Sequence, residues 1–436
     1  MNKIMDTVKN IGTYITDIRN NVGAIAFSKD NIVVEHRSNN PKRDFLFVNK
    51  VQGKHIPCKP SSTIRMCKAL ADLINKNIKD ERVLVVGFCE TATAIANIVA
   101  DNLVVDTYVI QTTRENIGAV GKQLLTFEEE HSHATTQNLF TYADKHTNET
   151  CHCNGKCGNN CKCKNTKALN FNDYTYVLFI DDEISTGRTV LNFINAFRKT
   201  SETKLRFGVA SICNWQDDIN RDKFSTEGIE VYSLLSGKLL SEHKKMFSGD
   251  NAVSLDTAKD CFHTTGSNIT PRVIMNGVIG VGKASKDKDL QLFEYERLGH
   301  KAKPNTATLD KVFSSFHRGL LTPIRVIGTE EFMYWPIRIA ELLENKGFSV
   351  KVQNTTRSSI DIITESNSGI TSKYIVPSVY DDNRETYIYN LDTLKKGDYV
   401  LFITDKILTD RANMAYTKLL NDIVGEGNYT IVTILN

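Results

Sequence analysis

The sequence predicts an α/β protein of two domains, and three observations lead to this expectation. The chain has 436 residues, whereas single hydrophobic cores stop growing near roughly 250 to 300 residues. The run Tyr176–Ile180 is apolar and rich in β-formers, and beyond a polar loop Leu191, Ile194 and Phe197 recur at helical spacing. A similar unit begins at Tyr399. Units of strand, loop and helix build parallel sheets.

The composition is that of a soluble globular protein. Hydrophobic residues make up 41% and charged residues 24% of the sequence. The formal net charge is only +3 and no dense Lys/Arg block is present, so a nucleic-acid partner is not favoured. Residues 1–18 alternate polar and apolar side chains, and so lack the apolar run of a signal peptide or membrane span. We therefore expect a cytoplasmic protein with no membrane partner.

The loop after the strand at Tyr176–Ile180 carries the chemistry. Asp181 and Asp182 follow the strand directly and can accept hydrogen bonds from a sugar diol, at the strand end where open α/β sheets bind ligands. The loop continues with Ser185, Thr186, Gly187, Arg188 and Thr189. Unsatisfied amides at the start of the next helix favour an anion, and Gly187 lets the loop approach it closely. Acids for a ribose and amides for a phosphate predict a phosphoribosyl group as ligand.

The segment Val177–Thr189 resembles the signature for 5-phosphoribosyl 1-pyrophosphate (PRPP) in type I phosphoribosyltransferases, whose core is a Rossmann-like parallel sheet. It departs from the commonest form at Glu183, where an apolar residue is usual, and at Arg188, which is often glycine. The resemblance implies that Asp181 and Asp182 act in catalysis, that the following loop binds PRPP, and that Mg²⁺ accompanies PRPP. Two alternatives stay open: an ordinary crossover whose acids cap a helix, and a non-catalytic nucleotide-sensing or RNA-binding regulator on the same fold.

A second strand, loop and helix lies upstream. The strand is Arg82–Gly87, the helix is Ala92–Ala100, and the loop between them contains Phe88, Cys89, Glu90 and Thr91. By resemblance, Gly87 to Thr91 hold the pyrophosphate, in a loop that often contains a non-proline cis peptide. The next strand ends near Arg114, which could neutralise phosphate or pair with Glu90.

The segment Phe127–His133 falls where this fold carries its mobile catalytic loop. Such a loop closes over the ligand and excludes water while pyrophosphate leaves. His131 and His133 could protonate the leaving group or contact the base. A solvated charge run explains these residues equally well.

Together the motifs resemble a bacterial family of orotate-phosphoribosyltransferase-like proteins from tellurium-resistance and stress-response gene clusters. The matching stretches cover most of the chain: Asn40–Arg43, Phe45–Val48, Gly53–Pro57, Gly87–Ala92, Phe127–Ala134, Val177–Thr189 and Gly328–Met333. In that family a domain named for a Thr-Arg-Ser-Pro motif (TRSP) follows the transferase domain, and here Ser359 replaces the proline of the motif at Thr356–Ser359. The resemblance implies PRPP and a base or other nitrogen nucleophile as substrates, in the biosynthesis of a nucleoside-like metabolite.

The C-terminal third repeats these motifs in the same order. Tyr176–Ile184 is matched by Tyr399–Ile407, Gly87–Glu90 by Gly328–Glu331, Thr112–Arg114 by Thr355–Arg357, and Phe207–Asn214 by Tyr429–Asn436. We therefore expect a duplicated α/β domain, with convergence of generic βα units as the alternative. The second copy has Thr404 in place of Asp181, and Asp410 in place of Gly187 would repel a phosphate. We expect a degenerate domain that does not bind PRPP and serves a substrate, a product or another protein.

Five of the ten cysteines lie in one short segment, at Cys151, Cys153, Cys157, Cys161 and Cys163, with a spacing that resembles small thiolate metal sites. Four thiolates close a tetrahedral Zn²⁺ site, and the segment has few apolar residues that could order it otherwise. The Cys-x-Cys spacing also fits a Cu(I) or multi-zinc cluster. A flexible redox-active loop is the alternative to metal binding.

These observations divide the chain into four predicted regions. They are a hood over the base pocket at 1–80, a transferase core at 81–240 with the cysteine-rich insertion at 147–165, a connection at 241–320, and a TRSP-like α/β domain at 321–436. In the hood, Arg43 or Lys54 could reach PRPP, with solvated surface as the alternative. A homodimer is compatible with the sequence.

Overall fold

The computed structural model describes most of the chain. The described residues are 11–37, 43–115, 117, 121–128, 136–142, 169–200, 204–240, 259–262, 273–276, 297–304, 309, 313, 318–362 and 368–435. Among the helices in these ranges, none combines the length and the apolar character needed to cross a bilayer.

Strands and helices alternate along both halves of the chain. The first half contains α1 (Ile11–Tyr14), β1 (Ile15–Asn20), β2 (Ile32–His36), β3 (Phe45–Asn49), α2 (Pro60–Ile74), β4 (Arg82–Gly87), α3 (Thr93–Asn102), β5 (Asp106–Gln111), β6 (Gly121–Glu128), β7 (Thr136–Tyr142), β8 (Tyr176–Ile184), α4 (Arg188–Thr200), β9 (Arg206–Asn214), α5 (Asp218–Thr226) and β10 (Ile229–Leu239). The second half contains β11 (Lys259–Asp260), β12 (Val273–Asn276), β13 (His300–Lys301), β14 (Ile324–Gly328), α6 (Tyr334–Asn345), β15 (Val350–Asn354), β16 (Lys373–Pro377), β17 (Glu385–Tyr389), β18 (Tyr399–Thr404), α7 (Asp410–Val424) and β19 (Tyr429–Leu435).

The first sheet has seven strands in the order β1-β10-β9-β8-β4-β5-β13. The five inner strands are parallel, and β1 and β13 pair with them antiparallel at the two edges. Residues Tyr176–Ile180 of β8 are fully buried, as predicted for a strand covered on both faces. Because Gly87 lies opposite Ile180, the loops that follow β4 and β8 leave the sheet side by side.

The second sheet has five parallel strands in the order β12-β19-β18-β14-β15. Its register repeats that of the first sheet. Val83 pairs with Tyr176 in the first sheet, and Ile324 pairs with Tyr399 in the second. These pairs join the strands that the sequence repeat aligns. The predicted fold class, an α/β domain followed by a second α/β domain, is confirmed.

Each sheet receives an edge segment from the other half of the chain. Strand β13 pairs with β5 of the first sheet, with His300 opposite Val109. In return, the N–H of Cys58 donates to the carbonyl of Val352 at 3.1 Å and the N–H of Val352 donates to that of Cys58 at 2.8 Å. Part of the predicted hood therefore pairs with the second sheet, and part of the predicted connection pairs with the first.

One hydrophobic cluster runs through both halves of the molecule. It includes Leu70 of α2, Ile95 of α3, Trp335 of α6 and Leu401 of β18, all buried. The hairpin of β2 and β3 and the hairpin of β6 and β7 stand outside the two main sheets. The first of these hairpins covers the edge of the first sheet where β4 and β8 end.

Candidate active site

A cavity of about 260 Å³ lies where β4 and β8 end. Four segments form most of its wall: the 88–91 loop after β4, the 181–190 segment at the end of β8, the residues between the end of β2 and the start of β3, and a loop after β15 of the second sheet. Arg114 and Gln137 complete it. The cavity therefore joins two loops that the sequence predicts to bind one ligand, together with residues that the sequence leaves unassigned.

The end of β8 presents two carboxylates to this cavity. Asp181 and Asp182 are half-buried and both line the wall. The backbone N–H of Asp182 donates to Asp181 Oδ1 at 2.9 Å, which orients the Asp181 carboxylate. Oxygen atoms of this kind can accept hydrogen bonds from a diol or coordinate a hard cation.

Helix α4 begins at the same edge of the cavity. Ser185, Thr186, Gly187 and Thr189 line the wall. Arg188 is the first residue of α4, and its N–H donates to Thr186 Oγ1 at 3.3 Å. The amides at a helix start and the helix dipole make this edge suitable for an anion such as phosphate.

Gly187 adopts a backbone conformation that few other residues tolerate. Its φ is +76°, in the left-handed region, and a Cβ placed there would lie 2.5 Å from the ring of Phe224 and 2.7 Å from Gln216 Nε2. From the sequence, Gly187 is expected where the loop must approach a ligand closely. The structure adds a second reason, because the loop is packed from behind against Phe224.

The 88–91 loop is fixed by contacts on its inner side. Phe88 packs against the rings of Phe179 and Phe193, with centroids 6.1 Å and 5.8 Å away. The N–H of Cys89 donates to Thr112 Oγ1 at 2.9 Å. The peptide bond between Cys89 and Glu90 is cis, the feature that the resemblance implies for this loop. Phe88, Cys89, Glu90 and Thr91 all line the cavity.

Gly87 lies behind that wall and is not among the described residues that line the cavity. A Cβ on Gly87 would lie 2.5 Å from the Cβ of Ala96 in α3. The close packing of helix on strand accounts for this glycine. Arg188, by its position on α4, also lies outside the described cavity wall.

Glu90 is buried between cationic side chains. It forms an ion pair with the buried Lys54, and Arg357 Nε lies 3.9 Å from its Oε2. Burial raises the pKa of Glu90, but the charges of Lys54, Arg357 and Arg114 outweigh this effect and lower it to about 2. Glu90 is therefore ionised at neutral pH. Lys54, which the sequence offers as a PRPP contact, instead neutralises Glu90.

Three arginines of the first half line the cavity: Arg37, Arg43 and Arg114. Arg43 binds Glu183 with both ends of its guanidinium group, at 2.9 Å and 3.3 Å, and lies 4.4 Å from the centre of the Phe45 ring. The unusual acid in the signature, Glu183, is therefore neutralised by the hood. Arg114 lines the wall beside the 88–91 loop, and its charge also acts on Glu90.

The second half of the chain contributes Arg357, Ser358 and Ser359 to the same cavity. These residues belong to the TRSP-like motif, which follows β15. The carbonyl of Ser358 accepts from Tyr389 Oη at 2.6 Å. Asp361 forms a 2.7 Å ion pair with His36 of β2, which anchors the loop to the hood. Sequence reasoning missed these residues as site residues, although the motif itself was the available signal.

The second sheet uses the equivalent position differently. Asp405 stands where Asp182 stands in the first copy, but Asp405 is buried and accepts a hydrogen bond from Tyr380 Oη at 2.7 Å. Burial raises the pKa of Asp405 to about 6. Thr404 replaces the other acid. The second copy therefore directs its one remaining acid to an internal partner.

Several predicted residues lie outside the described residues. They are His131, His133, Cys151, Cys153, Cys157, Cys161 and Cys163. In the part of the chain that the structure describes, no group of three or more His, Cys, Asp or Glu side chains could hold a metal ion. The five cysteines in that part, Cys58, Cys67, Cys89, Cys213 and Cys261, are buried with free thiols.

Solved structures with similarity to the chain include three phosphoribosyltransferases. Adenine phosphoribosyltransferase from Rhodothermus marinus is 15% identical, covering 49% of this chain and 99% of its own, with a TM-score of 0.32. Adenine phosphoribosyltransferase from Trypanosoma brucei is 14% identical, covering 51% and 84%, with a TM-score of 0.29. Orotate phosphoribosyltransferase from Mycobacterium tuberculosis is 14% identical, covering 39% and 74%, with a TM-score of 0.22. No curated protein matches the chain.

Sequence models of two families match consecutive parts of the chain. The model described as phosphoribosyl transferase matches residues 34–238. The model described as the TRSP domain C-terminal to that transferase matches residues 296–422. The two matches occur in the order that the motifs predict, and the chain belongs to the family of phosphoribosyl transferases that carry a C-terminal TRSP domain.

Proposed function

We propose that the protein transfers the phosphoribosyl group of PRPP to a nitrogen nucleophile, with pyrophosphate as the leaving group. One observation carries the proposal: a single cavity joins Asp181 and Asp182, the start of α4 and the 88–91 loop. Carboxylates, helix amides and a second loop around one cavity suit a ligand that carries a diol and has phosphate groups at both ends.

In this reaction the bond between ribose C1 and the pyrophosphate oxygen breaks, and a bond between C1 and the nitrogen forms as that nitrogen loses its proton. The amides at the start of α4 would hold the 5-phosphate. Asp181 and Asp182 would hold the ribose hydroxyls and stabilise positive charge on the ring. The 88–91 loop and Arg114 would hold the departing pyrophosphate. His131 and His133 stay candidates for protonating it.

Magnesium suits the residues present at this site. Mg²⁺ prefers oxygen ligands and usually combines one or two protein carboxylates with phosphate oxygens and water. Asp181 and Asp182 supply that number of carboxylates at the cavity wall. Bound together with PRPP, the ion would neutralise charge on the pyrophosphate. The protein's own groups would orient the ribose and exclude water.

The acceptor would enter under the hairpin of β2 and β3. Phe45 and Leu46 line this end of the cavity beside Arg43. Phe45 is buried beneath the guanidinium group of Arg43, so Leu46 and the flat face of that group would offer the surface that a planar base requires. We expect a base or a related nitrogen heterocycle to bind here and to yield a nucleotide-like product.

The cysteine segment at Cys151–Cys163 is proposed as a separate zinc site. The support is the spacing of five thiols in an apolar-poor segment. The proposed PRPP site uses none of these residues, so the two functions are separable.

The test compares two matched variants, Asp182→Asn and Asp405→Asn. The two aspartates occupy equivalent positions in the two copies, but only Asp182 lines the cavity. We expect Asp182→Asn to lower PRPP-dependent pyrophosphate release by about 100-fold or more, the scale of losing an electrostatic contact to a reacting group, whereas Asp405→Asn retains it. Release of pyrophosphate would be measured with a panel of bases and cell extracts.

Two results would contradict the proposal. One is equal turnover by Asp182→Asn and the parent protein. The other is PRPP or nucleotide binding without pyrophosphate release under any acceptor, together with a shift of RNA in a gel. The second outcome would favour the regulatory alternative on the same fold.

A further inference from the structure

Arg357 belongs to the second copy of the repeat but lines the cavity of the first. It follows β15 as Arg114 follows β5, and the sequence repeat aligns the two arginines. The backbone nitrogen of Arg357 lies 3.4 Å from Glu90 Oε2, and the backbone nitrogen of Arg114 lies 3.1 Å from Glu331 Oε1. Each copy thus presents its arginine to the other copy's glutamate, and both arginines reach one cavity.

The position of Arg357 places it at one end of that cavity. Its Nε lies 3.9 Å from Glu90 Oε2 in the 88–91 loop. Arg114 approaches the same loop and acts electrostatically on both Glu90 and Arg357. The two guanidinium groups therefore border the loop proposed for pyrophosphate. Asp181 and Asp182 form a different part of the wall.

Carboxylates hold Arg357 in place before any ligand arrives. Its Nε donates to Glu330 Oε2 at 2.8 Å, and its Nη2 pairs with Glu115. Arg384 binds the same two carboxylates, at 2.7 Å and 3.0 Å. Glu115 and Glu330 thus keep a cationic partner even when Arg357 also faces an anion, and a fixed side chain loses little entropy on binding.

The local charge favours an anionic ligand. Lys54, Arg114, Arg357 and Arg384 face Glu90, Glu115 and Glu330 in this cluster, and the neighbouring Glu331 is paired with Arg297, so cations exceed carboxylates by one. Burial raises the pKa of Glu330 to about 7, even though the charge of Arg384 opposes this.

We propose that Arg357 binds the pyrophosphate group of PRPP together with Arg114, so that the C-terminal domain supplies part of the active site. The inference rests on the proposed function. A guanidinium group matches phosphate oxygens with two parallel hydrogen bonds. During transfer the C1–O bond breaks with both electrons on pyrophosphate, and Arg357 offsets the charge that develops there.

The experiment measures binding of three ligands with Mg²⁺ by calorimetry: PRPP, pyrophosphate and ribose 5-phosphate. The variants are Arg357→Gln, Arg357→Lys and Arg384→Gln in the full chain. Arg384→Gln is the matched control because it removes a cation from Glu115 and Glu330 but not from the cavity wall. Thermal unfolding of each variant checks that it is folded.

We expect Arg357→Gln to weaken PRPP and pyrophosphate by about 10- to 100-fold, the range for a charged hydrogen bond, and to leave ribose 5-phosphate unchanged. Arg357→Lys should lose less affinity for PRPP and pyrophosphate than Arg357→Gln. If Arg357→Gln does not fold, Arg357→Lys alone tests the inference. Arg384→Gln should lose less than Arg357→Gln, because it lowers the positive charge of the cluster without removing a group from the cavity wall.

Distinct outcomes would overturn the inference and the proposed function. If the parent binds PRPP and Arg357→Gln or Arg357→Lys binds it equally well, only the role of Arg357 fails. Equal losses in Arg384→Gln and Arg357→Gln would mean that Arg357 only neutralises the cluster, which also rejects the inference. If the parent binds neither PRPP nor pyrophosphate, the proposed function fails and the inference fails with it.

Discussion

Asp182 and Asp405 show how burial changes the use of one residue type. Both follow equivalent strands of the repeat, β8 and β18. Asp182 is half-buried at the cavity, whereas Asp405 is fully buried beneath Tyr380. An ionised carboxylate in a buried site is costly, so burial raises the pKa of Asp405. The same acid therefore serves the cavity in one copy and the interior in the other.

The raised pKa of Asp405 predicts a pH-dependent effect of Asp405→Asn. Burial raises the pKa of Asp405 in the folded protein to about 6, against an ordinary value of 3.8 in the unfolded chain. The stability that protonated Asp405 gives the parent is fully present below pH 3.8 and is lost as the pH rises through about 6. Asparagine does not titrate, so the variant gains on the parent over this interval, by up to about 3 kcal/mol.

Urea unfolding at pH 4 and at pH 7 measures this difference, with the exposed Asp30→Asn as a control. We expect the free energy of unfolding of Asp405→Asn, relative to that of the parent, to be larger at pH 7 than at pH 4. The control should show little change. A difference that stays constant with pH would contradict the raised pKa.

At the scale of elements, strand β8 with helix α4 was predictable because its signal is local. The apolar run, the acids and the helical spacing all lie between Tyr176 and Phe197. The repeat likewise predicted β14, β15, β18 and β19, since neighbouring strands of each copy share one register. The 88–91 loop and the 181–189 loop were assigned to one ligand by resemblance, and both line the same cavity.

Pairings between distant segments were not predictable. The pairing of Cys58 with Val352 and of His300 with Val109 joins parts of the chain that no periodicity connects. Arg357 reaches the cavity only because the two copies pack together. The motif at Thr356–Ser359 contains Arg357 but does not show which groups it contacts. The role of Phe224 behind Gly187 is hidden for the same reason.

The insertion at Cys151–Cys163 supports an element-scale prediction, because the second copy of the sequence repeat has no matching cysteine segment. We expect protein purified without added metal to contain roughly one or more zinc or copper ions per chain. Replacing Cys153, Cys157 and Cys161 with Ser should reduce this content while PRPP affinity stays close to that of the parent. The measurements are elemental analysis and calorimetry.

The buried thiols of the core provide the control for this prediction. Cys67→Ser alters a cysteine that is buried in α2, far from the insertion in sequence, and should leave the metal content unchanged. Freshly reduced parent protein that holds no metal even after zinc is supplied would reject the site. A flexible thiol-rich loop would then describe the segment better.

At the scale of the whole molecule, the two copies are joined by a shared interior. The hydrophobic cluster through α2, α3 and α6 is continuous, and polar contacts cross beside it. Thr93 Oγ1 donates to the carbonyl of Glu331 at 2.8 Å, and Tyr334 Oη donates to Asp101 Oδ2 at 2.6 Å. Each sheet has its own hydrophobic cluster on one face and packs into the shared cluster with the other, so the site between the two sheets depends on both.

This arrangement predicts that both halves unfold in one transition and that Arg297 supports it. Arg297 is fully buried, lies 2.7 Å from Glu331 through Nη2, and donates from Nε to Thr113 Oγ1 at 2.9 Å. Arg297→Met would leave the carboxylate of Glu331 buried without its cation, which costs about 3–5 kcal/mol. The two tryptophans, Trp215 and Trp335, report on the first and second halves separately.

Urea unfolding followed by fluorescence would use two single-tryptophan chains, Trp215→Phe and Trp335→Phe. In both chains the midpoints should coincide, and Arg297→Met should lower them together. Arg338→Met is the control, because Arg338 pairs with Glu341 within α6 at a partly exposed position and such a pair contributes only about 0–1 kcal/mol. Separate midpoints in the parent background, or an Arg297→Met effect confined to one tryptophan, would show that each half folds independently, since a shared interior requires the loss of one half to destabilise the other.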